Sequence, residues 1–317
     1  MAPRNSALRR VLRQVRAAWL KPLSDALAVD HEATIREIQH VRLALANLQA
    51  DRARAASTLR EAEFRGFSQF GEDGAIQWLL AHVPMVDQSF VEFGVEDYRE
   101  SNTRFLLERG GWRGLILDPG TDHIRFLRES GLAARAAIDA QQAFVTVENI
   151  NKLLNGQPYD LGLLSVDIDG MDYWVLAAIR DIRPRVVVCE YNSLFGPVAP
   201  VSVPYQPQFD RRTAHHSMLY FGASISALEH WGRTNGYRLV GSTIQGVNAF
   251  LVRHDVAGDL PDLSGHEAWV KTSVRQARDA DGSLTYLADF EAQQRLIGDL
   301  PLVDVVTGRS MRVGDLP

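Results

Sequence analysis

Two apolar segments, Phe90-Val-Glu-Phe-Gly-Val-Glu-Asp97 and Gly114-Leu-Ile-Leu-Asp118, constrain the fold of this 317-residue chain more than any other part of it. Neither alternates polar and apolar residues, so each reads as a strand buried on both faces, as in a parallel sheet covered by helices. The first breaks at Gly94, the second ends on a carboxylate, and the residues between them, 102–109, read as a helix. In α/β proteins a glycine turn after one strand and an acid ending the next are the parts that hold an adenosyl group. The glycine admits the ligand to the backbone, and the acid accepts hydrogen bonds from ribose hydroxyls.

The pattern continues along the chain. A helix is predicted over 75–82, strands over 90–93 and 115–117, a weaker strand near 136–138, and a helix around 147–154. A strand over 161–168, a helix over 173–179 and a strand over 185–190 follow. Buried strands alternating with helices imply a parallel sheet with right-handed crossovers. After a loop rich in Pro, Gly, His and aromatic residues (192–220), a helix over 223–235 leads to strands over 237–241 and 246–253. Only four residues separate those last strands, which must therefore form a hairpin. A parallel sheet closed by an antiparallel hairpin is the layout of S-adenosylmethionine (SAM)-dependent methyltransferases. Nicotinamide-binding sheets usually stay parallel, and this chain lacks Gly-x-Gly-x-x-Gly after its first strand.

Composition fits one α/β domain with appendages: 46% hydrophobic and 23% charged residues. A net charge of −5 excludes a whole-protein nucleic-acid binder. No apolar stretch approaches the roughly 18 residues of a membrane span, and arginines interrupt the N-terminus where a secretory signal would be apolar, so a cytoplasmic location is expected. The single cysteine, Cys189, excludes an internal disulfide and a Cys-based zinc site, and in Val186-Val-Val-Cys189 it reads as a buried strand residue.

Four regions are expected: 1–30, 31–65, 66–255 and 256–317. Residues 1–24 carry Arg4, Arg9, Arg10, Arg13, Arg16 and Lys21 with no acid, and Leu8, Val11, Leu12, Val15 and Trp19 at helical spacing. Such a basic amphipathic helix suits peripheral contact with an anionic membrane surface, packing on its own protein, or an organellar transit peptide. In 31–65, Ile38, Val41, Leu45, Leu48, Arg52, Ala55, Leu59 and Ala62 alternate three- and four-residue steps. That heptad seam predicts a coiled coil joining a homo-oligomer, with a stalk folded back on the catalytic domain as the alternative. The tail, with Trp269, Lys271, Arg275 and Arg278 on an expected helix, reads as a cover or a subunit contact.

The ordered motifs Ser68-Gln-Phe-Gly-Glu-Asp-Gly74, Val91-Glu-Phe-Gly94, Glu100-Ser-Asn-Thr103, Ser165-Val-Asp-Ile-Asp-Gly-Met-Asp-Tyr173, Val187-Val-Cys-Glu-Tyr-Asn192, Tyr220-Phe-Gly-Ala-Ser224 and Gly246-Val-Asn-Ala-Phe250 resemble the FkbM-type branch of class I methyltransferases. The likeness covers about 67–286. It implies an α/β, Rossmann-like, mostly parallel sheet ending in the antiparallel hairpin, here with an N-terminal helical or coiled-coil extension. It also implies SAM as cofactor and methyl transfer to a hydroxyl of a sugar, polysaccharide or glycosylated natural product. The resemblance places Ser68, Gln69 and Asn102 at the cofactor, with helix capping by Ser68 or Asp73 as the alternative. This chain departs from the family at Gly94-Val-Glu-Asp-Tyr98, where Tyr98 is bulky at a turn that often carries a second glycine.

The carboxylates carry the expected chemistry. Glu92 and Gly94 would meet the methionyl end of the cofactor, and Asp118 the ribose. Asp167, Asp169 and Asp172 follow one strand, and Glu190 and Asn192 end its neighbour. Acids converging at that edge repel one another unless a cation lies between them. Asp167, Glu190 and Asn192 are therefore the candidate ligands of Mg²⁺ or another divalent cation, with Asp167 and Asp169 near the reaction. Asp169 and Asp172 can instead cap the following helix. His215 and His216, in the loop after that strand, are candidate bases or simply packed loop residues. A nicotinamide-dependent oxidoreductase and a non-catalytic scaffold are the rival functions.

Overall fold

The computed structural model describes residues 34, 37–129, 132, 137–274 and 276–317. The basic segment 1–24 and Arg275 lie outside the described residues. Two compact units divide the chain, Met1–Ala46 and Asn47–Pro317. In the first, residues 37–46 are helical, with Ile38, Val41 and Leu45 exposed.

The second unit is built on a seven-stranded sheet. Its strands are β1 (Ser89–Phe93), β2 (Arg113–Asp118), β3 (Ala137–Gln142), β4 (Leu163–Val166) and β5 (Val186–Glu190), followed after a two-residue strand β6 (Val201–Ser202) by β7 (Tyr237–Ser242) and β8 (Asn248–Arg253). The order is β3-β2-β1-β4-β5-β8-β7. Strands β1 to β5 pair in parallel, while β8 runs antiparallel to both β5 and β7. That order with a reversed β8 is the class I methyltransferase arrangement expected from the hairpin. Every residue of β1, β4, β5 and β8 is buried, as strands covered on both faces require.

Register decides where function can sit. Phe93 pairs with Leu117 and with Val166, and Val166 with Cys189. The next residue on each strand, Gly94, Asp118, Asp167 and Glu190, therefore falls in one row along the carboxyl edge of the sheet. At the opposite end Asp160 takes Arg185 at 2.5 Å and Arg253 at 2.9 Å, so the charge there is paired.

Two elements differ from expectation. The heptad pattern predicts one helix through Ala62, but the helix stops at 54 and a short one resumes over Leu59–Ala62. The break is held by tertiary contacts: the Trp78 indole donates to the Ala56 carbonyl at 2.9 Å, and Thr58 caps the short helix, whose Leu59 and Ala62 are buried. Leu48 is exposed. In the tail, the helix expected to carry Trp269, Lys271 and Arg278 is confined to Gly265–Ala268, and a separate helix spans Phe290–Leu296. Beyond Ala268 the backbone N–H groups of Val270 and Thr272 donate to the Tyr191 hydroxyl and Ser193 Oγ, at 3.2 and 3.0 Å, which draws the chain out across the end of β5.

The tail is also built into the domain. Strands β9 (Pro301–Asp304) and β10 (Ser310–Arg312) join β6 in a small antiparallel sheet. A second core of Leu194, Phe195, Val203, Phe209, Phe221, Phe290, Ile297 and Leu302 packs beneath it. Each such burial contributes roughly 1.5–3 kcal/mol.

The turn before the helix Glu72–His82 is fixed by one side chain. Asp73 is buried, and its Oδ2 accepts the backbone N–H groups of Gly66, Phe67 and Ser68 at 2.8, 2.5 and 2.7 Å. Asp73→Ala, which strands three buried donors, is expected to cost about 2–4 kcal/mol, whereas Asp73→Asn keeps an acceptor oxygen and loses less than half as much. Urea unfolding of the two variants measures the difference.

Candidate functional site

Two cavities open along the carboxyl edge, of about 370 and 420 Å³, and both are lined by Gly94, Glu96, Asp167 and Asp169. Gly94 has φ +71°, and a Cβ there would lie 1.7 Å from the Asp167 carbonyl oxygen. The glycine is thus required by backbone-to-backbone contact between the turns that follow β1 and β4, independently of any ligand.

On the 420 Å³ side, Asp118 ends β2 and is almost fully buried. Its Oδ2 accepts the Glu96 N–H at 2.8 Å, and its Oδ1 the Gly120 N–H at 2.7 Å, with the His123 Nδ1 at 2.9 Å. The carboxylate raises the proton affinity of His123. Ala143, Phe144 and Val145, after β3, line the far wall, with Phe144 half exposed.

The turn 94–98 needs left-handed backbone at Glu96 and Tyr98, φ +48° and +60°. Such non-glycine residues cost of order 1–3 kcal/mol each, which the surroundings must offset. Asp118 does so at Glu96. Tyr98 turns its ring into the core, is fully buried, and bonds its hydroxyl to Thr103 Oγ1 at 2.7 Å. It lines neither cavity, so its bulk does not obstruct the cleft.

Glu92, buried on β1, is engaged from one direction. Ser101 Oγ and the N–H groups of Asn102 and Thr103 donate to it at 2.6, 2.9 and 3.1 Å, and the Thr103 hydroxyl donates as well. Burial raises its proton affinity and these donors partly offset the rise. Glu92 holds the 101–103 turn at the cavity edge, where Asn102 Nδ2 reaches Ser165 Oγ at 3.1 Å. Gln69 lines the same cavity. Ser68 does not: it pairs reciprocally with Asp73, whose N–H donates to Ser68 Oγ at 3.0 Å, while the N-cap position of the helix is Gly71.

The 370 Å³ cavity contains the acidic cluster. Carboxylate oxygens of Asp167, Asp169 and Glu190 lie within 4.8 Å of one another. Burial holds Asp167 and Glu190 well above the usual carboxylate range, and repulsion adds to it, chiefly from Asp169 on Asp167 and from Asp167 on Glu190. Glu190 Oε2 is buried with no partner. Asp172 turns away, accepting the Ile168 and Gly170 N–H groups at 2.8 and 2.9 Å, and burial raises its pKa to about 6. The aspartates expected to share one role therefore divide: Asp172 closes the turn, and Asp169 faces the cavity.

Asn192, expected beside Asp167 and Glu190 as a ligand, has a structural task instead. Its Nδ2 donates to the Leu219 and Phe221 carbonyls at 2.9 and 3.0 Å, and its Oδ1 accepts the Leu194 N–H at 3.0 Å. The cluster's third oxygen comes from Asp169. The rings of His215 and His216 lie 4.2 Å apart, tilted by 40°, with Ser217 Oγ at 2.7 Å from His215 Nδ1, and line neither cavity.

Arg211 is the site residue that sequence reasoning missed. It is buried, stacks 3.7 Å from the Phe221 ring centroid, and donates to Asp169 Oδ1 at 2.7 Å and the Met218 carbonyl at 2.6 Å. Its Nη2 has no partner. In the run Asp210-Arg-Arg212 nothing distinguishes it from its exposed neighbour. Glu72 and Asn248, given no role within their motifs, and Gln293, which no motif contains, also line this cavity.

No protein-family model matches the chain, and no curated protein matches it in sequence. Several solved structures are similar to parts of it. The N-terminal domain of EvdMO1, solved in the presence of SAH and D-fucose, is 13% identical over 69% of this chain and 95% of that one, with a TM-score of 0.39. An O-methyltransferase family protein from Burkholderia thailandensis is 10% identical over 70% of this chain, with a TM-score of 0.37. An O-methyltransferase from Bacillus cereus in complex with SAH is 16% identical over 35% of this chain, with a TM-score of 0.28. The chain spans 59% of the Burkholderia protein and 52% of the Bacillus protein. Likeness at this level does not extend to an activity.

The cluster makes a prediction about stability. A buried carboxyl with raised pKa keeps in the folded state a proton that the unfolded chain releases above its ordinary value of 4.5, so its contribution falls as pH rises past that value. Glu190→Gln removes that loss. Its melting temperature is expected to exceed that of the native protein by roughly 2–4 °C at pH 8, with the gain shrinking towards pH 5. Melting curves across that range measure it.

Proposed function

We propose that this protein is a SAM-dependent O-methyltransferase acting on a hydroxyl of a carbohydrate, either a polysaccharide or a glycosylated small molecule, with assistance from a divalent cation. The observation that carries the reading is the row Gly94, Asp118, Asp167 and Glu190 along one sheet edge, bordered by two cavities that share residues. An adenosyl-binding wall and an acidic reaction wall thereby adjoin, as methyl transfer between two bound molecules requires.

On this reading Asp118 faces the ribose, Phe144 the base, and the 94–96 backbone with Gln69 and Asn102 the amino-acid end of the cofactor. Glu92 acts by holding the 101–103 turn in place. Asp167, Asp169 and Glu190 suit a hard divalent cation: all are oxygen donors, they repel one another without a counter-charge, and Glu190 Oε2 has no protein partner. When bound, SAM supplies an electrophilic methyl group and the cation lowers the pKa of a hydroxyl. The hydroxyl proton passes to a carboxylate oxygen of this cluster that the cation does not hold. Arg211 keeps Asp169 oriented.

Ile38, Val41, Leu45 and Leu48, exposed apolar residues at coiled-coil spacing, support homo-oligomerisation. No helix among the described residues is long and apolar enough to cross a membrane. The composition of 1–24 supports peripheral contact with an anionic surface.

Calorimetry with SAM, SAH and NAD tests the central reading. Both sulfur ligands are expected to bind and NAD is not, and Asp118→Ala is expected to weaken SAH binding roughly 10- to 100-fold. Mg²⁺ is expected to raise the melting temperature of the native protein and leave that of Glu190→Gln unchanged. Binding of NAD without SAH would replace methyl transfer with redox chemistry.

A further inference from the structure

The side chain of Glu96 has no part in the reaction just described. Glu96 is exposed, and no hydrogen bond or ion pair from the described residues reaches its carboxylate. Its position is nonetheless enforced. Asp118 Oδ2 accepts its N–H at 2.8 Å and holds the residue at φ +48°, a left-handed conformation that glycine adopts without strain. The neighbouring carboxylate, Asp97, turns instead to Arg99 at 3.3 Å and lines neither cavity.

The place of Glu96 narrows what it can meet. Gly94, Glu96, Asp167 and Asp169 line both cavities. A methyl group carried from a cofactor in one cavity to an acceptor in the other crosses where the two share a wall, so the sulfur of the cofactor belongs beside these residues. Gly94 has no side chain. Asp167 faces Glu190 in the cluster, and Asp169 is held by Arg211 at 2.7 Å. Among the described residues, Glu96 alone brings to that boundary a carboxylate outside the cluster. Its charge reaches into the 420 Å³ cavity: the proton affinity of His123, which lines it, is raised first by the Asp118 hydrogen bond and then by the charges of Asp118, Glu96 and Asp97.

Charge at the sulfur is what separates the cofactor from its product. SAM carries a sulfonium and SAH a neutral thioether, while their adenosyl and amino-acid ends are the same. Transfer forms an O–C bond and breaks the S–C bond, whose electron pair stays on sulfur, and the hydroxyl proton goes to the cluster. A carboxylate beside the sulfur attracts the charged state and not the neutral one.

We propose that Glu96 is a specificity-determining residue for the cofactor: its carboxylate lies beside the sulfonium, favours SAM over SAH, and so promotes exchange of spent cofactor for fresh. The proposal rests on the reading of the cleft as a methyl-transfer site.

The test is calorimetry on the full chain with SAM, SAH and sinefungin, which has a carbon bearing an ammonium in place of the methylated sulfur. Glu96→Gln is expected to weaken SAM and sinefungin roughly fivefold and SAH less than about twofold, the size of one solvent-screened charge pair about 4 Å apart. Glu96→Gly, which the left-handed backbone accommodates, is expected to lose the same discrimination. Because the acidic cluster is common to the native protein and both variants, the comparison isolates the one charge. Equal weakening of all three ligands puts Glu96 at the amino-acid end and overturns the proposal, as does an unchanged SAM affinity in the two variants. Binding of none of the three by the native protein removes the methyl-transfer reading and the proposal together, whereas binding of all three with unaltered relative affinities in the variants removes the proposal alone.

Discussion

Everything at the carboxyl edge depends on how closely the turn after β1 approaches the turn after β4. A Cβ on Gly94 would overlap the Asp167 carbonyl, so the two backbones are in direct contact. That contact puts Asp167 at the boundary of both cavities. The chain beyond Gly94 takes a left-handed course at Glu96 and Tyr98, which Asp118 and the Thr103 hydroxyl support. One close approach thus fixes two residues that both cavities share, Gly94 and Asp167.

The acids divide by what lies within reach. Asp73, Glu92, Asp118 and Asp172 each find backbone N–H groups of a nearby turn and become part of the frame. Asp167, Asp169 and Glu190 face one another instead, with Arg211 offsetting part of the charge. That repulsion is left largely unrelieved at the place where the two cavities meet, at a cost in stability. The opposite end of the sheet shows the contrast, since Asp160 there lies between two arginines.

The tail and the 192–220 region share a small sheet and a second hydrophobic core, and both contribute walls to the cleft. A rigid parallel sheet supplies the invariant geometry of the edge, while the added layer decides what may approach it. Gln293 and Arg211 come from that layer, which makes it the part most open to change without disturbing the frame.

The sequence alone determined the architecture, because continuous apolar runs such as 186–189, separated by helical spacing and closed by a short-linked hairpin, leave few ways to bury their side chains. It also determined which strand ends carry acids, and so the edge at which a site had to lie. Only the tertiary structure decided each acid's task. Asn192, a candidate ligand in the sequence, and Asp172, an acid beside the same cluster, are occupied by backbone groups that folding brings beside them. Arg211 and Gln293 resemble surface residues but are buried at the cleft, because their surroundings come from segments as far apart as 169, 221 and 287. Local pattern reports what a residue can bury or donate; which partners it meets is fixed by packing between distant segments, and that is where a polar side chain acquires its role.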